Sequence, residues 1–427
     1  MIAPLLIGFV VLAVLGVPIA IAMGLAVLVT MWLFTPFPVL GMVQRMTTGV
    51  DSFVLIAIPF FMLTGRLMNV GGITDRLLRF ARSLVGPIRG GLAHANVLAN
   101  MILAGMSGSA VADAGGLGMV VIRAMHEQGY RKELAGAITV AAATIGPIIP
   151  PSIPMVIYGA MAEVSVGKLF LGGFAPGILM GVGLMLLIWA ASRRENMPRD
   201  RVYGLREMAA ALWDAGLALL TPIILIGGIL SGIFTPTEAS AVAAVYAFLL
   251  SFCIYRTIHL RDIPSILVDT FATTAVVTFI ISATSGFSYL LIIGRIGNLL
   301  VESALGLTRN PYLILLIINL ALLLLGCLME AGVLLILLTP ILVPLARSLG
   351  IDLVHFGVIM VLNLMIGVAT PPVGMCLFVV SEANNIRLER LMREVIPWVL
   401  PLILVLLLIT YFPVLVLTLP NWLMPTP

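Results

Sequence analysis

Long apolar runs separated by short polar connections set the pattern of the whole chain. The first, Ile2 to Phe34, is long for one span, and Gly16-Val17-Pro18 is placed to bend or break it. Residues 35–52 read as a loop. Further spans are expected over about 53–68, 169–192, 209–232, 239–255, 263–293 and 396–420. Their connections alternate between basic and near-neutral. The basic ones carry Arg76, Arg79, Arg82 and Arg89, then Arg193 to Arg206, Arg256 and Arg261, and Arg387 to Arg393. An excess of Lys and Arg marks the cytoplasmic side.

Two stretches do not fit a single crossing. Residues 91–122 have basic connections at both ends and a small-residue tip, Ser107-Gly108-Ser109. They read as a re-entrant hairpin. Residues 311–346 have near-neutral flanks and a tip at Gly326-Cys327-Leu328-Met329-Glu330, a second hairpin from the other face. Each is followed by an interrupted span. In 134–160 the interruption is Thr144-Ile145-Gly146-Pro147-Ile148-Ile149-Pro150-Pro151-Ser152; in 354–382 it is Gly367-Val368-Ala369-Thr370-Pro371-Pro372-Val373-Gly374. Proline lacks the N–H a helix needs and pushes the preceding residue out of α geometry. The freed carbonyls must be buried in protein or line a polar cavity.

The interruptions are copies. An offset of 221 carries Gly105, Gly129, Gly136 and Gly146 onto Gly326, Gly350, Gly357 and Gly367, and Pro150-Pro151 onto Pro371-Pro372. Chance supplies roughly one Gly–Gly match per hundred positions, so this is an internal repeat rather than two unrelated kinks. The expected fold class is an all-α polytopic membrane protein of inverted repeats, with two re-entrant hairpins and two broken helices. Its parts are an N-terminal scaffold (1–52), repeat one (53–192), a connecting scaffold (193–262) and repeat two (263–427). A smaller match, Gly65-Arg66-Leu67-Met68-Asn69 with Gly294-Arg295-Ile296-Gly297-Asn298, marks the end of the first span in each repeat. An arginine snorkelling to the interface is the preferred account.

Composition agrees with this plan: 61% of 427 residues are hydrophobic, only 10% charged, and the mean hydropathy is +1.19. Cys253, Cys327 and Cys376 sit in apolar runs and give no disulfide framework, and no zinc cluster, Walker loop or nucleophile elbow is present. The reading is a transporter, not an enzyme, and the N-terminus reads as a mature span rather than a signal peptide.

Paired interrupted segments point to the binding site of a secondary transporter. A sodium ion wants oxygen ligands. One site is expected between Ser107, Gly108, Ser109 and Thr144, Gly146, Pro147; a second between Gly326, Cys327 and Gly367, Thr370, Pro371. About two Na+ ions would then be co-substrates, with no organic cofactor. Small residues at Ser107–Ser109 also fit plain helix packing. Helix N-termini at the tips and breaks favour an anionic substrate. Asn100, Ser109, Pro150, Ser152, Glu330, Asn363, Pro372 and Gly374 are its candidate contacts. Asn100 and Asn363 fit interhelical hydrogen bonds equally well. Asp113 and Glu330 sit near the tips, where a charge costs ~2.5–3.5 kcal/mol by insertion scales; Asp113 is a coupling or a structural charge. Glu238 is expected to cap a helix with Thr235 or Thr237.

Taken together, the Ser107-Gly108-Ser109 tip, Gly129-Tyr130, Gly146 to Ser152, Gly232 to Ala239, Gly350-Ile351-Asp352, His355-Phe356-Gly357-Val358 and Thr370 to Gly374 resemble a known family over nearly the whole chain. It is the large membrane (permease, DctM-like) subunit of TRAP, tripartite ATP-independent periplasmic, transporters, within the ion-transporter superfamily. Glu330 departs from that pattern, which has Asp at the second tip. The resemblance implies a sodium-coupled importer of the bacterial inner membrane, working by an elevator movement on an organic acid such as a dicarboxylate, keto acid or sialic or other sugar acid. It implies two partners: a small membrane subunit, expected as a separate chain, and a soluble periplasmic binding protein. The alternatives are a stand-alone carboxylate symporter or anion exporter, an intramembrane enzyme, which lacks a suitably placed Asp, His or Ser–Lys pair, and a channel, whose flux would not saturate.

Overall fold

The computed structural model describes residues 1–36, 38–308 and 310–425, with the side chains of all but 105–107, 298, 300, 304, 305 and 307. It is a bundle of α-helices, with no strand among the described residues. Among the described residues, seven helices are long and apolar enough to cross a membrane. The chain is a multi-pass membrane protein.

The interrupted segments stand out because their halves are short. Hairpin one is Gly91–Ser107 and Ala110–Glu127, and the broken span after it is Lys132–Ala143 and Ile153–Ala162. Hairpin two is Pro311–Gly326 and Ala331–Ser348, followed by Leu353–Gly367 and Met375–Asn384. In both broken spans the first half is encased: every residue from Leu134 to Ala143 and from Val354 to Gly367 is buried. A helix apolar on all sides belongs in the middle of a bundle.

The halves interlock across the repeats. Ala110–Glu127 packs against Met375–Asn384, and Ala331–Ser348 against Ile153–Ala162. The far end of hairpin one is tied to the basic face: Arg131 bonds Glu195 and Glu394 at 2.8 and 3.1 Å. The far end of hairpin two lies where the Tyr158 hydroxyl donates to Leu353 O at 2.9 Å, at the other end of the first broken span. The hairpins therefore enter from opposite faces and meet tip to tip.

Around this centre runs a scaffold. Helix Ala57–Val70 packs against Pro236–Leu249 and against Ile263–Ile293. The capping box of Pro236–Leu249 uses Thr235 and Glu238. The first apolar run breaks where Gly16-Val17-Pro18 was placed to break it, into two helices, Ile2–Val14 and Ile19–Phe34, folded back on each other after Gly16, which has φ +80°. Two expectations need correction. The expected loop 35–52 contains helix Leu40–Val50, whose backbone approaches Ile263–Ile293 so closely that a Cβ on Gly49 would overlap Ser285. The basic connection after Val70 is an amphipathic helix, Ile73–Val85. Its Leu77, Leu78 and Ala81 are buried, while Asp214 holds Arg76 and Arg79.

Candidate functional site

Each tip is built by a cap. At tip one, Gly108 takes φ +60° and lies so close to the first break that a Cβ would sit 3.3 Å from Ile153 N. Both conditions call for glycine. Ser109 then caps Ala110–Glu127, accepting from Ala112 N at 3.4 Å. At tip two the cap is Glu330, whose two carboxylate oxygens accept from Gly332 N and Val333 N, each at 3.0 Å. Here Gly326 crosses Gly367 backbone to backbone. Gly374 N donates to Cys327 O at 3.1 Å, fastening the tip to the second break.

The breaks differ in burial. Residues 144–152 are all buried, whereas Thr370 to Val373 are partly open. Pro150-Pro151 and Pro371-Pro372 are both cis. Within break one the Ser152 hydroxyl donates to Pro147 O and accepts from Met155 N at 3.3 Å, so Ser152 is a helix cap. Asp113, on the second limb of hairpin one, is buried, and its Oδ2 stands where a side chain on Gly146 would lie.

Two contiguous cavities of about 180 Å3 each lie between these elements and the scaffold. One takes in Gly108, Ser109, Pro147, Ile153, Glu330, Gly332 and Val368, so both tips and both breaks meet in it. The other takes in Arg66, Asn69, Thr74, Ser109, Asp113 and Asp269, and reaches towards the basic face. Met62, Ser109, Ile153 and Thr273 line both. Three helices begin at the first cavity, at Ala110, Ile153 and Ala331. Their N-terminal partial charge favours an anion, but the Glu330 carboxylate already answers the third. The positive ends left for a ligand are those capped by the neutral Ser109 and Ser152.

Of the expected substrate contacts, Ser109 and Glu330 are brought together in the cavity. Asn100 and Asn363 are placed in packing. Asn100 Nδ2 donates to Asn96 O and Oδ1, and Asn96 donates to Thr139 at 2.8 Å. Asn363 Nδ2 donates to Asn319 O and Oδ1, and Asn319 donates to Thr410 at 2.9 Å. Each repeat thus holds an asparagine hub on the first limb of its hairpin. Pro150 is buried in the first break; Pro372 and Gly374 form the turn of the second, Pro372 exposed and Gly374 at φ +53°.

Among the expected sodium ligands, Gly108 and Pro147 share the cavity wall, while the Thr144 hydroxyl donates to Ala141 O at 2.7 Å behind it. The Ser107 side chain lies outside the described residues. In the second set Gly326 meets Gly367, and Thr370 Oγ1 donates to Ile366 O at 2.6 Å. Pro371 is half-buried beside it.

The scaffold wall was not foreseen. Arg66 does not snorkel away; it pairs with Asp269 of the neighbouring span. Asp269 interrupts an otherwise uncharged run, 263–293, and that was the signal available in the sequence.

This architecture has known counterparts. A family model described as "Tripartite ATP-independent periplasmic transporter, DctM component" matches residues 6–415. The chain belongs to this family. It is 46% identical to the large permease protein of a sialic acid TRAP transporter from Vibrio cholerae, over 88% of each chain. It is 41% identical to a C4-dicarboxylate TRAP large permease from Pseudomonas aeruginosa, over 94% of each. A longer sialic acid TRAP permease from Haemophilus influenzae is 38% identical, covering 96% of this chain and 67% of that protein. Among solved structures, the YdaH transporter of Alcanivorax borkumensis superposes with a TM-score of 0.60 at 16% identity, over 96% of this chain and 98% of that one. At that identity the likeness concerns the fold alone. The tips and breaks all lie within the stretch that the TRAP large-permease model matches.

Proposed function

We propose that this chain is the transporting subunit of a sodium-coupled importer of an organic acid. The observation that carries the reading is the convergence of both hairpin tips and both breaks on one cavity, with helix N-termini at Ala110 and Ile153 pointing partial positive charge into it. A carboxylate binds at the Ser109 end. Glu330, engaged by two backbone N–H groups, faces the opposite end of the acid. The most similar relatives named above transport sialic acid and C4-dicarboxylates, which supports the substrate class. Na+ binds among freed carbonyls between each tip and its break, from Gly108 to Pro147 and from Cys327 to Thr370. The ion closes each tip over the substrate.

The interlocked bundle of hairpins and broken spans moves as a unit against the scaffold, in the manner of an elevator. The substrate reaches it from a periplasmic binding protein, and a small membrane subunit completes the complex in the inner membrane. No chemistry on the substrate is involved.

The test is uptake into proteoliposomes holding this chain and its small subunit. Binding protein loaded with N-acetylneuraminate, succinate or another candidate acid is supplied with and without an inward sodium gradient. The expected result is uptake that needs both sodium and binding protein. Sodium-driven uptake without binding protein would instead indicate a stand-alone carrier. Uptake indifferent to sodium would sink the coupling ion.

A further inference from the structure

The scaffold wall of the cavity carries one base and one acid. On helix Ala57–Val70, Met62, Arg66 and Asn69 lie three and four residues apart, so they form one stripe. On Ile263–Ile293, Asp269 and Thr273 have the same spacing. All five line the cavity that reaches towards the basic face, opposite Ser109 and Asp113 of hairpin one. The Arg66 guanidinium touches the Asp269 carboxylate, yet the two side chains remain 48% and 52% exposed. The pair is therefore not sealed between helices. It fronts the cavity.

Charges inside apolar spans are expensive and are kept where they line a pathway. A strap between two scaffold helices needs no open face. A snorkelling arginine would aim at the headgroups, not at a carboxylate one helix away. A guanidinium presents five donors in a fork that matches carboxylates, and Asp269 engages it from one side. A second carboxylate in the cavity can approach the remaining donors and compete on equal chemical terms. Arg66 without Asp269 would retain a leaving acid; Asp269 without Arg66 would repel it.

We propose that Arg66 and Asp269 form a carboxylate exchange point in the cytoplasmic half of the cavity. Asp269 holds the guanidinium while the cavity is empty. It yields it to the carboxylate of an acid leaving the tips, then takes it back and so releases the acid to the cytoplasm. The proposal rests on the organic-acid reading above.

Its test has two arms, both in the complex with the small subunit. The first uses no substrate. Thr273→Cys is introduced in a Cys253→Ser background, and its rates of modification by an anionic and a cationic thiosulfonate are compared. Asp269→Asn should raise the anionic-to-cationic rate ratio by about tenfold, and Arg66→Gln should lower it similarly, from a unit charge a few ångströms away in a wet cavity. Ratios unmoved by both variants would overturn the proposal.

The second arm loads proteoliposomes with N-acetylneuraminate, or with succinate, and measures inhibition of uptake by the internal acid. Asp269→Asn should inhibit at about tenfold lower internal acid, and Arg66→Gln at correspondingly higher. The Arg66→Gln/Asp269→Asn double variant should follow Arg66→Gln. If it regains the wild-type inhibition curve, the pair is a strap and the exchange is wrong. Lack of uptake by the unmodified chain bears on the transport reading alone, and the first arm then decides.

Discussion

Gly367 and Gly326 touch through their backbones. A Cβ on Gly367 would lie 2.6 Å from both Cα and C of Gly326. Tip two and the second broken span meet here with no side chain between them. Gly367→Ala should therefore force the tip away, at about 1–3 kcal/mol of overpacking. The expected outcome is a lower midpoint in thermal unfolding of the purified complex, together with loss of uptake. Gly306→Ala, whose Cβ would meet nothing within 4 Å, is the control and should behave as wild type.

Gly146 and Asp113 form the corresponding contact in repeat one, but with a carboxylate in the gap. Under the sodium reading, Asp113 supplies negative charge beside the carbonyls of Gly146 and Pro147. Asp113→Asn should then keep the fold and raise the sodium concentration for half-maximal uptake several-fold. An unchanged sodium titration would leave Asp113 a purely structural charge.

Glu330 and Ser109 are both caps, and their substitutions should separate stability from binding. Glu330→Ala removes an N-cap and should cost about 1 kcal/mol. Glu330→Asp keeps a capping carboxylate on a shorter arm. It should restore the thermal midpoint while changing KM for the acid. If the Asp variant leaves KM unchanged, the carboxylate's position in the cavity does not matter.

Asn363 was a candidate substrate contact, yet the structure bonds it to Asn319. Asn363→Ala strands buried acceptors on Asn319, a loss of about 1–3 kcal/mol. Its signature should be a lower unfolding midpoint with KM unaltered. A raised KM at unchanged stability would return it to the binding site.

Asp200 offers a pH-dependent prediction outside the membrane. Burial pushes its carboxyl up, but the Arg201 N–H, Arg82 at 2.8 Å and Tyr203 outweigh that and hold it below its ordinary value. A carboxyl depressed in the folded state contributes stability above its unfolded pKa and loses it as the pH falls through the folded one. Asp200→Asn should therefore lower the midpoint at neutral pH and bring the two proteins together in acid. Parallel curves at every pH would remove this role.

How much of this was legible differs by element. The two interruptions could be read directly, because a proline pair inside an apolar run excludes a continuous helix whatever surrounds it. Their place in a repeat followed from matched glycines, and those glycines prove to be contacts: Gly146 against Asp113 and Gly367 against Gly326. The hairpins were legible from charge, since loops of one sign at both ends of an apolar stretch allow no crossing. The helix Leu40–Val50 was missed because its polar residues, Gln44, Arg45, Thr47 and Thr48, read as a loop when the partner that covers its other face is unknown.

Local backbone chemistry thus determined, by sequence alone, where helices must stop and how often the pattern repeats. Only the tertiary structure decided which residues face the cavity. Asn100, Asn363, Ser109 and Glu330 are all polar residues near a tip or a break. The amides of Asn100 and Asn363 are taken up by Asn96 and Asn319, whereas the caps Ser109 and Glu330 line the cavity, because a hydrogen bond depends on what lies across a few ångströms of space. The same holds for Arg66, whose partner Asp269 stands 203 positions away and was brought to it by the packing of two scaffold spans.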